Sequence, residues 1–203
     1  LDTALDEMLV VDNGSSDGTT EALIRLGRRY PGRLRWSRDA GPFRQAEWAT
    51  GLARLAAGEG ADWIVPMDVD EFYTAPRGLR RELAETDAFG LSVGVVDFVQ
   101  RREVIRSSPA ALLSMTRRPR VTVGSPEEAE RLVAAGVPFV ETTYPHKVMV
   151  RASPDLVLEP GAHGASGGAG PIVPTERITC LHAPLRSRDA FFARAEHGRR
   201  VEE

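Results

Sequence analysis

A chain of 203 residues that is 42% hydrophobic and 27% charged has the length and apolar content of one globular domain with a substantial core. Its net charge of -3 gives no bulk attraction for nucleic acid or an anionic membrane, and no apolar run approaches the roughly 18 residues of a membrane span. The single cysteine, Cys180, excludes an internal disulfide, and with no signal peptide at the start the composition points to the cytoplasm.

In chain order, Met8-Leu9-Val10-Val11 reads as a short strand that breaks into Asp12-Asn13-Gly14-Ser15-Ser16-Asp17-Gly18-Thr19-Thr20, a run of turn and cap formers. A helix follows, with Glu21 in its first turn and Ala22, Leu23, Leu26 and Tyr30 at helical spacing, until Pro31-Gly32 stops it. Arg33 to Trp36 reads as the next strand. A second helix, roughly Arg44 to Ala57, places Trp48, Leu52 and Leu55 on one face before Gly58 and Gly60. The apolar run Trp63 to Met67 then reads as a third strand, and the alternation predicts a parallel sheet flanked by helices.

Beyond Phe72 the pattern loosens. Leu79 to Glu85 reads as a short helix, Leu91 to Val96 as a strand ending at Asp97, and Ser125-Pro126 as the start of a helix reaching about Ala135. Pro145 to Arg151 is a strand entered by basic residues, Gly161 to Gly170 a mobile loop, and Arg177 to Leu181 a last strand. His146 and His163 read as loop residues. No internal repeat is present, and residues 1–203 read as one domain, with a half up to 97 and a half from 98.

Chemistry concentrates in Asp62 to Phe72, DWIVPMDVDEF. In a strand, Asp68 and Asp70 would share a face while Val69 turned into the packing. Two like charges on one face call for something positive beside them, and paired carboxylates suit Mg2+ or Mn2+. Asp12 ends a strand ahead of a glycine-bearing loop and a helix N-terminus, the edge where open α/β sheets bind ligands. A calcium loop from Asn13 fails, because its twelfth position is Ile24. Arginines crowd the second half, at 101, 102, 106, 117, 118, 120, 186, 188, 194, 199 and 200. Such a stretch suits an anionic small molecule or lipid phosphate, and equally an ordinary solvated face.

The pair VVDNGSSDGT and DWIVPMDVDEF resembles the family 2 type of glycosyltransferases with the GT-A fold, especially the bacterial branch whose second motif ends in Asp-Glu-Phe. The tail ITCLHAPLRSRDAFFARAEHG is similar to that branch's closing motif through His182, Arg186-Ser187, Phe191 and Arg194, the last standing where the branch has Lys. The resemblance implies a Rossmann-like, mostly parallel sheet and divalent-metal-dependent transfer of a sugar from a nucleotide diphosphate, with inversion, to an acceptor hydroxyl on a saccharide or lipid-linked molecule. It implies Mn2+ or Mg2+ held by Asp70 with Asp68, and a nucleotide sugar held by Asp12, Asn13, Ser15, Asp17, Asp68 and Arg186. An inverting reaction needs a base, for which the candidates are Asp97, Glu103 and His182. The implied partners exclude nucleic acid and a membrane span and allow peripheral membrane contact. The family begins with an earlier strand and an Arg-Asn-Glu type segment; neither precedes Leu1, so the expectation is a fragment lacking its first strand. Two other readings stand beside this one. A non-catalytic remnant keeping the fold would leave an unpaired sheet position and an apolar patch near the N-terminus. A haloacid-dehalogenase-type phosphatase would use Asp68 and Asp70 as nucleophile and acid, but its motif belongs on a first strand.

Overall fold

The structure is a computed structural model, and it describes residues 4–101, 103–106, 108–120, 126–138, 141–142 and 145–192. The chain runs β1 (Met8–Asp12), α1 (Thr19–Arg29), β2 (Leu34–Arg38), α2 (Gln45–Gly58), β3 (Trp63–Ile64), β4 (Glu71–Thr74), α3 (Leu79–Ala84) and β5 (Gly90–Val99). It continues through α4 (Pro109–Leu113), α5 (Pro126–Ala134), β6 (Lys147–Arg151), β7 (Val157–Leu158), a 3-10 turn at Pro160–Ala162, β8 (Ala165–Ser166) and β9 (Ile172–Leu185).

This is a mixed α/β fold with a mixed sheet flanked by helices. β1 and β2 pair in parallel, Met8 opposite Leu34 through Asp12 opposite Arg38. The expected continuation of that parallel sheet into β3 is not what forms. β3 pairs antiparallel with β6 and joins a separate five-stranded sheet of order β3-β6-β5-β9-β4. Only β5 and β9 are parallel neighbours in it; β4 and β6 run against them. One physical reason is local. Pro66 has no N–H to give a ladder, so β3 stops after two residues.

The register settles which side chains share a face. Leu91, Val93, Val95 and Asp97 of β5 lie opposite Met149, Lys147, Cys180 and His182 respectively, while Tyr73 and Glu71 of β4 lie opposite Cys180 and His182. The apolar members of this face pack with Ile178 and with Leu83 of α3 into one core cluster. On the other face Phe89, Val148, Val150, Leu156 and Leu158 pack with Ala53 of α2, supported by Ala49 and Ile64. Helix α2 also covers the small sheet: its Leu52 and Leu55 line, with Leu9, Val10, Arg35, Trp36 and Ser37, an open groove of about 160 Å³. Among the described residues α2 therefore backs both sheets, while no strand ladder joins them.

Several local expectations need correction. Asp68 to Asp70 is a turn rather than a strand end, closed by the Glu71 N–H donating to the Asp68 carbonyl (3.1 Å). Val69 is 88% exposed at its tip instead of packed. The glycine-rich stretch from Gly161 to Gly170 contains β8, paired antiparallel with β7, and a 3-10 turn. Strands β5 and β9 run past the ends read from sequence, to Val99 and Leu185.

Candidate functional site

Because β5 and β9 run one way and β4 and β6 the other, the late residues of the first pair and the first residues of the second pair share one edge of the sheet. That edge is where the apolar alternation gives way to charge. Along β5 the inward series Leu91, Val93, Val95 ends in Asp97; along β9 Ile178, Cys180 ends in His182; β6 opens on Lys147 and β4 on Glu71. All four of these polar residues are buried. Buried polar and charged groups persist only when they are partnered, and here each is.

Lys147, only 2% exposed, is surrounded by oxygen: its ammonium lies 2.6 Å from Glu71 Oε1 and donates to Asp68 Oδ2 (3.0 Å) and to the Gly161 carbonyl (2.7 Å). Glu71 Oε1 is sealed from solvent and has no partner in ordinary hydrogen-bond geometry, so its contact with the ammonium is an ion pair. Its other oxygen, Oε2, accepts from the Asp68 N–H (3.1 Å), and this pins the turn. Burial, the largest single influence on Lys147, favours the neutral amine. Glu71 and Asp68 together outweigh it and raise the ammonium's pKa above its ordinary value. The second oxygen of Asp68 accepts from Gln45 Nε2 at the start of α2 (2.7 Å).

Asp70 faces a different set of partners. Its Oδ1 is 3.8 Å from His182 Nε2 and its Oδ2 is 3.9 Å from Arg186 Nη1, and its main-chain carbonyl accepts from the Ala183 N–H. His182 Nδ1 bonds Asp97 Oδ1 at 2.7 Å, fully buried. The carboxylate thereby fixes the ring and directs Nε2 toward Asp70. Cys180, beneath His182 on the same face, has its thiol pushed up to about 12, first by burial, which leaves it a packing residue rather than a nucleophile. Burial likewise pushes the Tyr73 phenol up.

The first motif occupies the C-terminal end of β1. Asp12 is buried, accepting from the Ser15 N–H on Oδ1 (2.9 Å) and from the Thr20 hydroxyl on Oδ2 (2.5 Å). Its pKa is lowered, chiefly by its hydrogen bonds from Ser15 and then from Thr20. Asp17 accepts from the N–H and hydroxyl of Thr19 and secures the first turn of α1, while Gly18 supplies the left-handed backbone (φ 91°) ahead of it. Asn13 Nδ2 reaches across to the carbonyls of Asp39 (2.7 Å) and Gly41 (3.0 Å). The Asp39 carboxylate in turn accepts from Trp48 Nε1 (3.0 Å) on α2. Since Gln45 of the same helix holds Asp68, the two motifs are tied through the N-terminal end of α2.

Of the residues singled out from the sequence, Asp97 and His182 come together with Asp70 and Arg186, whereas Glu103 is exposed in the segment after β5. Arg102, Arg194, Arg199 and Arg200 lie outside the described residues. Sequence reasoning passed over Lys147 and Gln45. A lysine opening the apolar run Val148-Met149-Val150 was a readable signal, since its alternation with Met149 aims it at a core face. The positive charge that paired acids demand is thus supplied from within, by Lys147 for Asp68 and Glu71. Among the described residues no group of three or more His, Cys, Asp or Glu is gathered as metal ligands, and Asp68 and Asp70 answer to separate partners, so the donor set does not fit a shared divalent cation.

A groove of about 630 Å³ has none of these residues in its lining, which includes Ser92, Val95, His146, Glu176 and Thr179. His146 bonds Ser92 Oγ there (2.9 Å), and its carbonyl takes His163 Nδ1 (2.9 Å). No family model, curated protein or solved structure matches the chain.

Proposed function

We propose that the domain is a glycosyltransferase of the GT-A type that moves a sugar from a nucleotide-diphosphate donor to an acceptor hydroxyl on a saccharide or lipid-linked molecule. One observation carries the reading. The loop after β1 and the acidic turn after β3, over fifty residues apart, are joined through the start of α2, which bonds Asp68 by Gln45 and, by Trp48, the Asp39 whose carbonyl accepts from Asn13. A nucleotide held by one motif would then present its diphosphate to the other.

The chemistry is a displacement at the anomeric carbon. The bond from that carbon to the diphosphate oxygen breaks, the bond to the acceptor oxygen forms, and the nucleoside diphosphate leaves with the bonding electrons. The acceptor's proton goes to the Asp70–His182–Asp97 unit, in which Asp97 holds the ring and Asp70 is its outer member. Arg186, half-buried beside Asp70, meets the negative charge that builds on the leaving group.

The test is a thermal-melting screen against nucleotide sugars, followed by chromatographic detection of the released nucleoside diphosphate. A ligand at one hundred times its dissociation constant adds about 2.7 kcal/mol, which is readily seen as a shift. Stabilisation by one nucleotide sugar, with turnover lost in Asp70→Asn, is the expected result. Binding without turnover under any acceptor would favour a non-catalytic binding domain, and stabilisation by none of them would refute the proposal.

A further inference from the structure

The ammonium of Lys147 sits between Asp68 and Glu71, where a divalent cation held by Asp68 Oδ2 and Glu71 Oε1 would sit. Three oxygens surround it: it donates to Asp68 Oδ2 in the turn and to the Gly161 carbonyl of the 3-10 turn, and it forms an ion pair with Glu71 Oε1 at the head of β4. A divalent ion bound to the same oxygens, at about 2.0–2.6 Å, would stand within a few ångströms of an ammonium already 2.6 Å and 3.0 Å from them, and the two like charges would repel in a buried site. Nor can Lys147 readily withdraw. Its main chain is paired with Val93 of the neighbouring strand, and its side chain is enclosed, so a displaced ammonium would remain close by and repel the incoming ion.

We infer that Lys147 is the resident counter-ion of the acidic turn and that the domain binds its diphosphate ligand without a divalent metal. The inference rests on the glycosyltransferase reading for the identity of the ligand, and on geometry for the exclusion of the metal. In this arrangement Lys147 is a positioning residue: it fixes the carboxylates of Asp68 and Glu71, and it leaves Arg186, beside Asp70, as the half-exposed cation. Asp68, still partly exposed, remains able to accept a hydrogen bond from a ribose or sugar hydroxyl.

The experiment is calorimetric titration of the purified protein with UDP, GDP, ADP, CDP and dTDP in turn, each in EDTA and again with Mn2+ or Mg2+. One of them binding with the same affinity in both buffers is the expected outcome. Binding that appears only with metal overturns the inference and leaves the glycosyltransferase reading standing. Binding of none in either buffer removes that reading and the inference with it. A second measurement uses Mn2+ alone as the probe. The melting temperature of the wild type should ignore it, whereas Lys147→Met, with the site emptied of its ammonium, should gain a Mn2+-dependent rise that disappears when Asp68→Asn is added. A folded Lys147→Met that ignores Mn2+, or a wild type stabilised by Mn2+ through Asp68, would contradict the assignment. Should Lys147→Met fail to fold, the wild-type titrations decide alone.

Discussion

Removing the Lys147 ammonium and its Glu71 partner together should cost less than the two separate removals summed. Lys147→Met keeps the aliphatic length but leaves Glu71, 2% exposed, as an uncompensated carboxylate with one oxygen sealed from solvent. Breaking a buried pair from one side costs about 3–5 kcal/mol, a large part of the about 5–15 kcal/mol by which a domain is stable. Asp68 is more than one-third exposed and its charge is relieved by water, so the lower half of that range is expected. Glu71→Gln alone leaves the ammonium with Asp68 and the Gly161 carbonyl and should cost less. The double substitution removes both buried charges, and its loss should fall short of the summed single losses by about 1–3 kcal/mol. Urea unfolding of the four proteins closes the cycle. Additive losses would mean that the two groups are not coupled, and the account of the edge as a paired interior would fail. The same pair predicts the alkaline limb. Because the folded-state pKa of Lys147 is raised, its contribution is fully present below the unfolded value of about 10.4 and is lost as pH rises through the folded one.

Asp12 gives the opposite pH sign: its folded pKa is lowered, so its contribution is present above the unfolded value of about 3.9 and is lost as pH falls through the folded value. Asp12→Asn should therefore flatten the acid side of a stability-against-pH curve measured by urea unfolding. Among glycines, a Cβ on Gly168 would fall within the ring of Phe89, a core residue, and Gly168→Ala should cost about 1–3 kcal/mol. Gly51 in α2 has open space around its own Cβ, and Gly51→Ala should add about 0.4–1 kcal/mol, read from the same unfolding curves. Val69→Lys, at the exposed tip of the acidic turn, should change stability by less than about 0.5 kcal/mol; a large loss in a thermal melt would contradict the exposed placement.

Local signals carried the first sixty residues well. The run from Asp12 to Thr20 holds its turn and helix start within itself, through Asp12 to Ser15 and Asp17 to Thr19, so nothing distant was needed to read it. Helix α2 was legible from Trp48, Leu52 and Leu55 for the same reason. Strand direction was not. Whether β3 meets β1 or β6 depends on pairing across more than eighty residues, as in Trp63 opposite Arg151, where the guanidinium also stacks on the indole at 4.8 Å. The alternation rule failed at Val69 because it presumes a strand, and Pro66 with the Asp68–Glu71 turn had already ended one. The need for a positive charge near the acids followed from Coulomb's law, but the residue supplying it lay seventy-nine positions from Asp68. The sequence reading supplied that charge as a bound metal ion.

The separation of the β1–β2 pair from the five-stranded sheet bears on how the molecule opens. Cooperative unfolding spreads through shared ladders and shared cores, and among the described residues these two bodies of strand have no ladder in common. The pair and α1 draw their contacts from one short span of sequence, with Leu23 and Leu34 as its buried apolar residues. It closes small loops and spends little chain entropy in forming. The larger sheet must first bring β9 back to β5 and β4. Helix α2, packed on both, is the coupling element: tightening its hold would make the two open together, and loosening it would let the β1–β2 pair exchange its amide protons while the larger sheet stayed closed. Through that one helix, occupancy of the loop after β1 would register as slowed exchange in strands it never touches.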